Sequence, residues 1–411
     1  MRDILLHTPE GVRDIYGAEC ARKQKLQDAL STTLASYGYH AIQTPAFEFF
    51  DVFNGDRGTL TSREMYKFFD REGNTLVLRP DITPSIARAV AKYYADEKIP
   101  LRFSYIGNVF MNNSSYQGLM KESTQMGAEL IGDDSAAADG ELIALAIELL
   151  LKSGLRKFVL DIGHTGFFRA LIEEAGLDAS SEMKLKTLIE NKNFFGIEDL
   201  MEERRMGREL RGILMALPQL SGQVQIFENV RALTGNAKAL AVVDRLERIY
   251  EVLCAYGYEK YVTFDLGMLT TYDYYTGVIF RGYTYGTGDA LVKGGRYDHL
   301  VGQFGKDAAA VGFALVVDQL MIALSRQGIE IPLNDTSALV LYEPEVLKAA
   351  VDRARALRAG GVLVTLMPRQ AQLSVEDYKS YCRSHQLGQL LYLSSDGDGN
   401  VCACEENLWE V

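Results

Sequence analysis

The chain has few cysteines, and their arrangement argues against a disulfide framework. Its five cysteines are Cys20, Cys254, Cys382, Cys402 and Cys404. Secreted domains held by disulfides carry paired cysteines in dense patterns, so this odd and scattered set is typical of a reducing cytoplasm. Cys402 and Cys404 lack a second pair at metal-ligand spacing. We therefore expect two incidental thiols on a strand hairpin and no metal site.

Long apolar runs are also missing. No stretch of about 18 apolar residues occurs, so no membrane span is expected. Arg2 and Asp3 precede a short apolar run, which is not the pattern of a signal peptide. No internal repeat or low-complexity tract is visible. These absences predict a cytoplasmic protein without a membrane partner.

Positive charge is the third deficiency. The chain carries 43 Lys and Arg against 55 Asp and Glu, a formal net charge of −12. Proteins that bind nucleic acid usually show a basic surface, because phosphate contacts supply most of their affinity. The acidic balance therefore argues against a nucleic-acid partner, although a local basic patch would be enough for tRNA.

Size and patterning predict two or three domains around a large core. The chain has 411 residues, of which 47% are hydrophobic. Apolar spacing predicts a mixture of helices and strands up to about residue 165, then mostly helix over 166–257, and strands again from 258. We expect residues 307–326 to form the last core helix, entered through AAAVGFAL. Beyond residue 334, strands and helices alternate, which predicts a small α/β unit.

Two sequence blocks carry more specific information. The first is LRPDITPSIAR at 78–88, followed by YIGNVFMNNSSYQGLMKESTQMGAELIG at 105–132. The second comprises Asp273-Tyr274-Tyr275-Thr276-Gly277 with Phe280, and Gly294-Gly295-Arg296-Tyr297-Asp298 about 20 residues later. Either half of the second block alone could be a turn flanked by aromatic strands. Together, and downstream of the first block, they are too specific for coincidence.

These blocks resemble the second motif and the histidine-binding signature of the histidyl-tRNA synthetase family. The resemblance extends from Thr8-Pro9-Glu10-Gly11 to about residue 326, and more loosely to the end. It implies an α+β fold of the class II aminoacyl-tRNA synthetase type, with an antiparallel sheet core flanked by helices. The core would comprise residues 1–165 and 258–328, with a helical insertion at 166–257. Residues 335–411 would form a reduced α/β domain similar to an anticodon-binding domain.

The resemblance also implies a set of residues that contact free histidine. These are Asp81, Thr83, Gln125, Glu129, Tyr274, Tyr275, Arg296 and Tyr297. Such a pocket suits the ligand, because carboxylates hold its cationic groups while hydroxyls and acids contact the ring nitrogens. Gln125 and Glu129 are four apart, so on a strand they lie on one face. The alternative for the tyrosines is ordinary packing, and for Gln125 and Glu129 a solvated sheet face.

The departures from the family are concentrated where active synthetases place arginines that hold ATP. The altered positions are Met111, Ser114, Leu119, Thr270 and Gln319. Losing a single preorganised charge stabiliser commonly costs about 10²–10³ in rate, so several losses should abolish adenylation. Arg79 or Lys121 could have taken over one role, but one relocated cation cannot replace several. Arg281 stands where active members usually have glutamate, and the sequence offers no reason for it.

Within this family, an altered ATP site, a retained histidine pocket and a reduced anticodon domain are typical of the regulatory subunits of ATP phosphoribosyltransferase. The C-terminal region from Asp335 has 7 Lys and Arg against 11 Asp and Glu, which does not suit an anticodon stem. The resemblance thus implies a non-catalytic partner, without a cofactor, of a short-form ATP phosphoribosyltransferase catalytic subunit. It would sense L-histidine and impose feedback inhibition in histidine biosynthesis.

The resemblance further implies a two-fold homodimer, formed through the region around Gly38–Phe50, within a hetero-oligomer. Two alternatives stay open at this stage. The chain could be a working histidyl-tRNA synthetase with unusual substitutions, which ATP–pyrophosphate exchange would reveal. It could also be a stand-alone histidine-binding or translation-control module, which would recover no phosphoribosyltransferase in a pull-down.

Overall fold

The computed structural model describes residues 6–54, 61–113, 120–269, 274–333, 337–396, 398 and 400–408. The described residues group into two compact units. The first contains those of Met1–Arg13 and Gln27–Glu330, and the second contains those of Asp14–Leu26 and Ile331–Val411.

Within these described residues there are twelve α-helices and sixteen strands. The helices are α1 (Gly17–Ser36), α2 (Thr83–Tyr93), α3 (Ala136–Lys152), α4 (Thr165–Ala175), α5 (Ala179–Glu190), α6 (Phe194–Glu203), α7 (Arg208–Ala216), α8 (Ile226–Leu233), α9 (Ala237–Tyr256), α10 (Val317–Arg326), α11 (Leu347–Ala359) and α12 (Val375–Ser384). The strands are β1 (His40–Ala41), β2 (Phe47–Phe49), β3 (Lys67–Phe69), β4 (Thr75–Leu78), β5 (Leu101–Phe110), β6 (Glu122–Ile131), β7 (Phe158–His164), β8 (Ser221–Gly222), β9 (Val262–Asp265), β10 (Val278–Thr284), β11 (Val292–Arg296), β12 (Ala310–Val316), β13 (Ser337–Tyr342), β14 (Leu363–Pro368), β15 (Gln389–Ser395) and β16 (Val401–Asn407). None of these helices is both long enough and apolar enough to span a bilayer.

The first unit is built on a nine-stranded sheet in the order β1-β5-β6-β12-β11-β10-β7-β9-β8. Its six central strands, from β5 to β7, pair antiparallel. Two flanking pairs, β1 with β5 and β7 with β9, are parallel, so the sheet as a whole is mixed. The predicted antiparallel core flanked by helices is therefore confirmed, with parallel additions at its margins.

One predicted element of this sheet is wrong. Residues 307–326 were expected to form one helix, but β12 occupies Ala310–Val316 and the helix α10 begins only at Val317. The strand lies between β6 and β11 and is buried on both faces along most of its length. A strand covered on both faces loses the alternation of apolar and polar residues, so its sequence resembles a buried helix.

Helices cover both faces of the sheet and thereby define two environments. On one face, α2 places Ile86 and Val90 in a cluster with Phe103 and Tyr105 of β5. On the other, α3 packs against β11 and β12 and buries almost its whole length. Side chains alternate between faces along a strand, so neighbouring residues of one strand have different surroundings. This alternation decides which signature residues can meet.

The chain from α4 to α9 is helical apart from the two-residue strand β8, as predicted for 166–257. The short strands β2, β4 and β3 form a separate antiparallel sheet, which confirms the hairpin predicted from the turn at Arg71–Asn74. Phe47 and Phe49 of β2 leave one face of it exposed.

The second unit is a four-stranded sheet in the order β14-β13-β15-β16 with a helix on each face. Val340 of β13 packs with Ala350 and Ala354 of α11. Leu339 and Leu341, which alternate with Val340, pack with Tyr378 and Cys382 of α12. The small α/β unit predicted from the sequence is confirmed. Its edge strand β16 carries Cys402 and Cys404, both exposed.

Candidate functional site

The centre of the candidate site is Glu129, a fully buried carboxylate on β6. Its side chain is 1% exposed. Oε1 accepts a hydrogen bond from Oγ1 of Thr83 at 2.7 Å, and Oε2 accepts one from the hydroxyl of Tyr297 at 2.5 Å. Thr83 is the first residue of α2, and Tyr297 directly follows β11. Three segments far apart in the sequence thus meet at one carboxylate.

A second buried carboxylate, Asp81, lies beside the start of α2. Oδ1 accepts a hydrogen bond from the backbone N–H of Thr83 at 3.1 Å. Oδ2 accepts one from the hydroxyl of Tyr274 at 3.3 Å. The Tyr274 ring contacts the rings of Tyr275 and Tyr297 at centroid distances of 4.7 and 5.9 Å. The tyrosines therefore join the two carboxylates into one cluster.

Neither carboxylate has a cationic partner among the described residues. Within the part of the chain that the structure describes, no Lys, Arg or His forms an ion pair with Asp81 or Glu129. Burial raises the pKa of Glu129 to about 8, and the hydrogen bonds from Tyr297 and Thr83 offset only part of that shift. Burial also raises the pKa of Asp81. Two buried acids without a countercharge are costly, so the cluster is suited to a cationic ligand.

Tyr105 belongs to this cluster although sequence analysis did not select it. It lies on β5, where Gly127 of β6 is its cross-strand partner. A β-carbon at residue 127 would lie 2.4 Å from the Tyr105 hydroxyl, so only glycine leaves room for the ring. Burial raises the pKa of Tyr105 far above its ordinary value, followed by repulsion from Glu129 and Asp81. Pairing β5 with β6 in register would have identified Tyr105, but the register is not visible in the sequence.

Gln125 lies on β6, four residues before Glu129 and on the same face, as the spacing predicted. Its side-chain oxygen Oε1 is buried and has no hydrogen-bond partner among the described residues. A buried, unpaired acceptor is costly unless a ligand donates to it. Gln125 therefore adds a third acceptor to this face of the sheet.

Arg296 is the predicted site residue in the described chain whose side chain lies on the opposite face of the sheet from the cluster. Strand alternation places its side chain on the face opposite Tyr297, where α3 lies. Its Nε donates to Oδ1 of Asp139 at 2.8 Å, and its Nη1 lies 3.0 Å from Oδ1 of Asp298. Asp139 is fully buried and also pairs with Arg245. Arg296 therefore holds β11 against α3, and direct ligand contact at the cluster is excluded by its orientation.

Among the positions predicted to have lost ATP-binding arginines, two lie in the described chain. Met111 follows β5 and Gln319 lies on α10, and both are half-buried. Ser114, Leu119 and Thr270 lie outside the described residues. Arg79 has other partners: its guanidinium donates to the backbone oxygens of Asn108 and Thr44, both at 2.8 Å. These bonds fix it as a structural brace, so it does not offer a free cation.

A cavity of about 530 Å³ borders the cluster on the same face of the sheet. Tyr275 and Ile279 belong both to its wall and to the apolar core around the cluster. Polar groups from β7, β10 and β11 line it, together with residues of the helical segment near the end of α5. Elsewhere in the described chain, no group of three or more His, Cys, Asp or Glu is placed to hold a metal ion.

Comparison with known proteins gives a consistent result. The sequence model of the histidyl-tRNA synthetase family matches residues 11–320. An ATP phosphoribosyltransferase regulatory subunit of Acetivibrio thermocellus is 41% identical over 364 residues, 89% of this chain and 87% of the relative. One from Ruminiclostridium cellulolyticum is 36% identical over 405 residues, 98% of this chain and 96% of the relative.

A solved structure is similar along nearly its whole length. It is a Bacillus halodurans protein described as an ATP phosphoribosyltransferase regulatory subunit/histidyl-tRNA synthetase. The two chains superpose with a TM-score of 0.85 at 32% identity, covering 96% of this chain and 99% of that one. The class II synthetase-like fold expected from the motifs is thereby confirmed.

Proposed function

This chain belongs to the family of ATP phosphoribosyltransferase regulatory subunits, a branch of the histidyl-tRNA synthetase fold family, and we propose that it is the histidine sensor of such an enzyme. In this proposal it assembles in the cytoplasm with a short-form catalytic subunit, enables the first step of histidine biosynthesis, and transmits feedback inhibition by L-histidine. The chain itself catalyses no reaction and needs no cofactor.

The observation that carries the proposal is the pair of buried carboxylates, Asp81 and Glu129, without a cationic partner among the described residues. L-Histidine has an ammonium group and a ring that can become cationic, and either would supply the missing countercharge. The hydroxyls of Thr83, Tyr274 and Tyr297 donate hydrogen bonds to these carboxylates, and in the complex they could turn toward the ring nitrogens of histidine. Gln125 offers its unpaired oxygen to the ammonium group.

The proposed loss of adenylation follows from missing positive charges at the positions where active synthetases hold ATP. Class II activation depends on cations placed around the phosphates, because positioning and electrostatics supply most of the rate. Met111 and Gln319 are uncharged, and so are Ser114, Leu119 and Thr270. Arg79 is committed to backbone oxygens. We therefore propose that the ATP site has lost its function while the amino-acid site remains.

We assign a separate role to each of the domains inferred from the sequence. The core of residues 1–165 and 258–328 would hold histidine, and the helical insertion 166–257 would line the adjoining cavity with residues near the end of α5. Residues 335–411 would serve protein contacts and not an anticodon. The negative net charge of that last region supports this assignment, since it contains 11 acidic residues and 7 basic ones. No nucleic-acid partner is proposed.

A homodimer within the hetero-oligomer is supported by the small sheet of β2, β4 and β3. Phe47 and Phe49 are 52% and 56% exposed, and Phe68 packs edge-on against Phe47. Register places these three rings on one face of the sheet. Adjacent exposed aromatic rings usually mark an interaction surface. Of these strands, β2 lies in the region around Gly38–Phe50 that the family resemblance assigns to the dimer interface.

Two measurements test the proposal. The first mixes the chain with a short-form catalytic subunit and follows phosphoribosyl transfer, which should require both proteins. Catalytic activity that is independent of this chain, or failure to form a complex, would leave only a stand-alone histidine-binding module. The second measures histidine-dependent ATP–pyrophosphate exchange, which should not exceed a no-enzyme background. Exchange above that background would instead support a working histidyl-tRNA synthetase.

A further inference from the structure

The cavity beside the carboxylate cluster contains a cation that the proposed histidine contacts do not use. Arg281 lies on β10 and lines the cavity. Its cross-strand neighbours are Lys293 of β11 and Asp161 of β7. Nη2 donates to the backbone oxygen of Leu269 at 2.9 Å, and its other nitrogens form no hydrogen bond within the described residues. The guanidinium is therefore held at one edge and available at the other.

Acidic side chains surround Arg281, and Asp265 is near enough for the two charges to attract, but no carboxylate of the described chain forms an ion pair with the guanidinium. Lys293 pairs with Asp289 at 2.8 Å. Asp161 accepts a hydrogen bond from Thr263, and Asp265 accepts one from the backbone N–H of Gly267. None of these acids forms an ion pair with Arg281 in the described chain. Glu190 and Lys192 also line the cavity and have opposite charges.

The register connects Arg281 with the cluster. Glu129 of β6 is aligned with Gly312, Gly295 and Ile279 on three successive strands, and Arg281 is two residues beyond Ile279 on the same face. At about 4.8 Å per strand, β6 and β10 lie roughly 14 Å apart, and the two-residue offset along β10 places the backbones of Glu129 and Arg281 about 16 Å apart. A glutamate side chain, an amino acid and an arginine side chain together can span this distance. The Tyr275 ring lies over Gly295, because a β-carbon at that position would lie 2.8 Å from the ring. Gly295 is on the line of residues between Glu129 and Ile279, so a ligand that joins Glu129 to Arg281 would pack against this ring.

We propose that Arg281 binds the carboxylate of the amino acid whose cationic groups are held by Asp81 and Glu129. This inference rests on the proposed function. A zwitterion needs a cation for its carboxylate, and the described residues bring none to the cluster, because Arg296 faces α3. A guanidinium can hold a carboxylate with two parallel hydrogen bonds. The proposal also gives a role to Arg281 itself, which the sequence left unexplained because active synthetases usually have glutamate at this position.

The test compares L-histidine with histamine, which keeps the ammonium group and the imidazole but lacks the carboxylate. Both are titrated by calorimetry into the full-length parent chain, Arg281→Gln, Arg281→Lys and the control Lys293→Gln. The parent should prefer L-histidine. Arg281→Gln should weaken L-histidine binding about 10- to 100-fold, the usual range for one charge-assisted contact. It should leave histamine binding within about 3-fold, because that ligand makes no contact with residue 281.

The two controls sharpen the result. Arg281→Lys should recover part of the lost affinity, since it restores the charge without the planar fork. Lys293→Gln should bind L-histidine like the parent, because Lys293 is already paired with Asp289. Melting temperatures of all variants check that each is folded.

Each other outcome overturns a specific statement. If Arg281→Gln binds L-histidine as tightly as the parent, Arg281 does not contact the carboxylate, and the proposed function is unaffected. Equal loss of L-histidine and histamine binding would assign Arg281 a structural role and likewise defeat the inference. A parent chain that binds no L-histidine at all would refute the proposed function itself.

Discussion

The carboxylate of Glu129 occupies the space that a side chain at Gly312 would need. A β-carbon built on Gly312 would lie 1.6 Å from Oε2 of Glu129. The two residues face each other on β6 and β12, and the carboxylate is fixed by Thr83 and Tyr297. A buried, hydrogen-bonded acid cannot move aside as an exposed side chain can. Glu129 can therefore occupy this position only because residue 312 is a glycine.

Gly312→Ala should displace Glu129 and impair the site. We expect a loss of stability of about 1–3 kcal/mol from overpacking, and at least a tenfold loss of histidine affinity. Urea unfolding and calorimetric titration measure the two effects. Gly212→Ala is the matched control, since nothing lies within 4 Å of a β-carbon at that position on α7. The control should be neutral or stabilising, because alanine favours a helix over glycine. Unchanged histidine binding in Gly312→Ala would contradict the assignment.

Glu129 should make the ligand-free chain less stable as the pH rises. Its pKa in the folded chain is about 8, against an ordinary value of 4.5, so the folded state holds the proton more tightly than the unfolded state. The stabilisation is complete below about pH 4.5 and is lost as the pH rises to about 8. Urea midpoints between pH 5 and 8 should fall less steeply in Glu129→Gln than in the parent. The raised pKa of Asp81 acts in the same direction and leaves a residual slope. Parallel curves for the two proteins would refute the shift.

Breaking the buried pair of Asp139 and Arg296 should destabilise the first unit strongly. The Nη2 of Arg296 lies 2.7 Å from Oδ1 of Asp139, and the two side chains are 3% and 0% exposed. Asp139→Leu removes the carboxylate shared by Arg245 and Arg296 and leaves Asp298 as the remaining ion-pair partner of Arg296, so it should cost up to about 3–5 kcal/mol in urea unfolding. Glu173→Leu, which breaks an exposed pair with Lys238, is the control and should leave the midpoint nearly unchanged. An equal effect of both substitutions would show that burial of the pair does not matter.

The exposed rings of β2 should support the homodimer. Phe49→Glu places a charge on the face shared with Phe47 and should convert a dimer into a monomer at micromolar concentration, because an unpaired charge is costly in an apolar interface. Light scattering gives the mass. Phe195→Glu is the control, since Phe195 on α6 is 83% exposed and lies outside that face. A parent chain that is monomeric, or a Phe49→Glu chain that stays dimeric, would rule out this surface.

Much of the fold and part of the site could be predicted from local patterns. Period-2 spacing placed Gln125 and Glu129 on one face of a strand, and the two halves of the second sequence block supplied Tyr274 and Tyr297. The resemblance added Asp81 and Thr83. These residues could be selected from the sequence because each lies in a short segment whose pattern or motif is visible without its neighbours in the sheet.

The remaining features depend on which strands are neighbours. Tyr105 was missed because only its pairing with Gly127 brings it to the cluster. Arg296 was assigned to the pocket with the signature block that contains it, whereas alternation places its side chain and that of Tyr297 on opposite faces. The strand β12 was predicted as a helix because burial on both faces removed its alternation. Arg281 gained a role only when its cavity was visible.

The most direct test of the central claim is histidine inhibition of the assembled complex. Phosphoribosyl transfer by a short-form catalytic subunit is followed with the parent chain and with Glu129→Gln, over a range of L-histidine concentrations. We expect that both chains assemble and support equal activity without histidine, and that histidine inhibits only the complex with the parent. Because allosteric coupling is reciprocal, phosphoribosyl substrates should also weaken histidine binding to the parent complex. Equal inhibition of the two complexes, or no inhibition of either, would contradict the account.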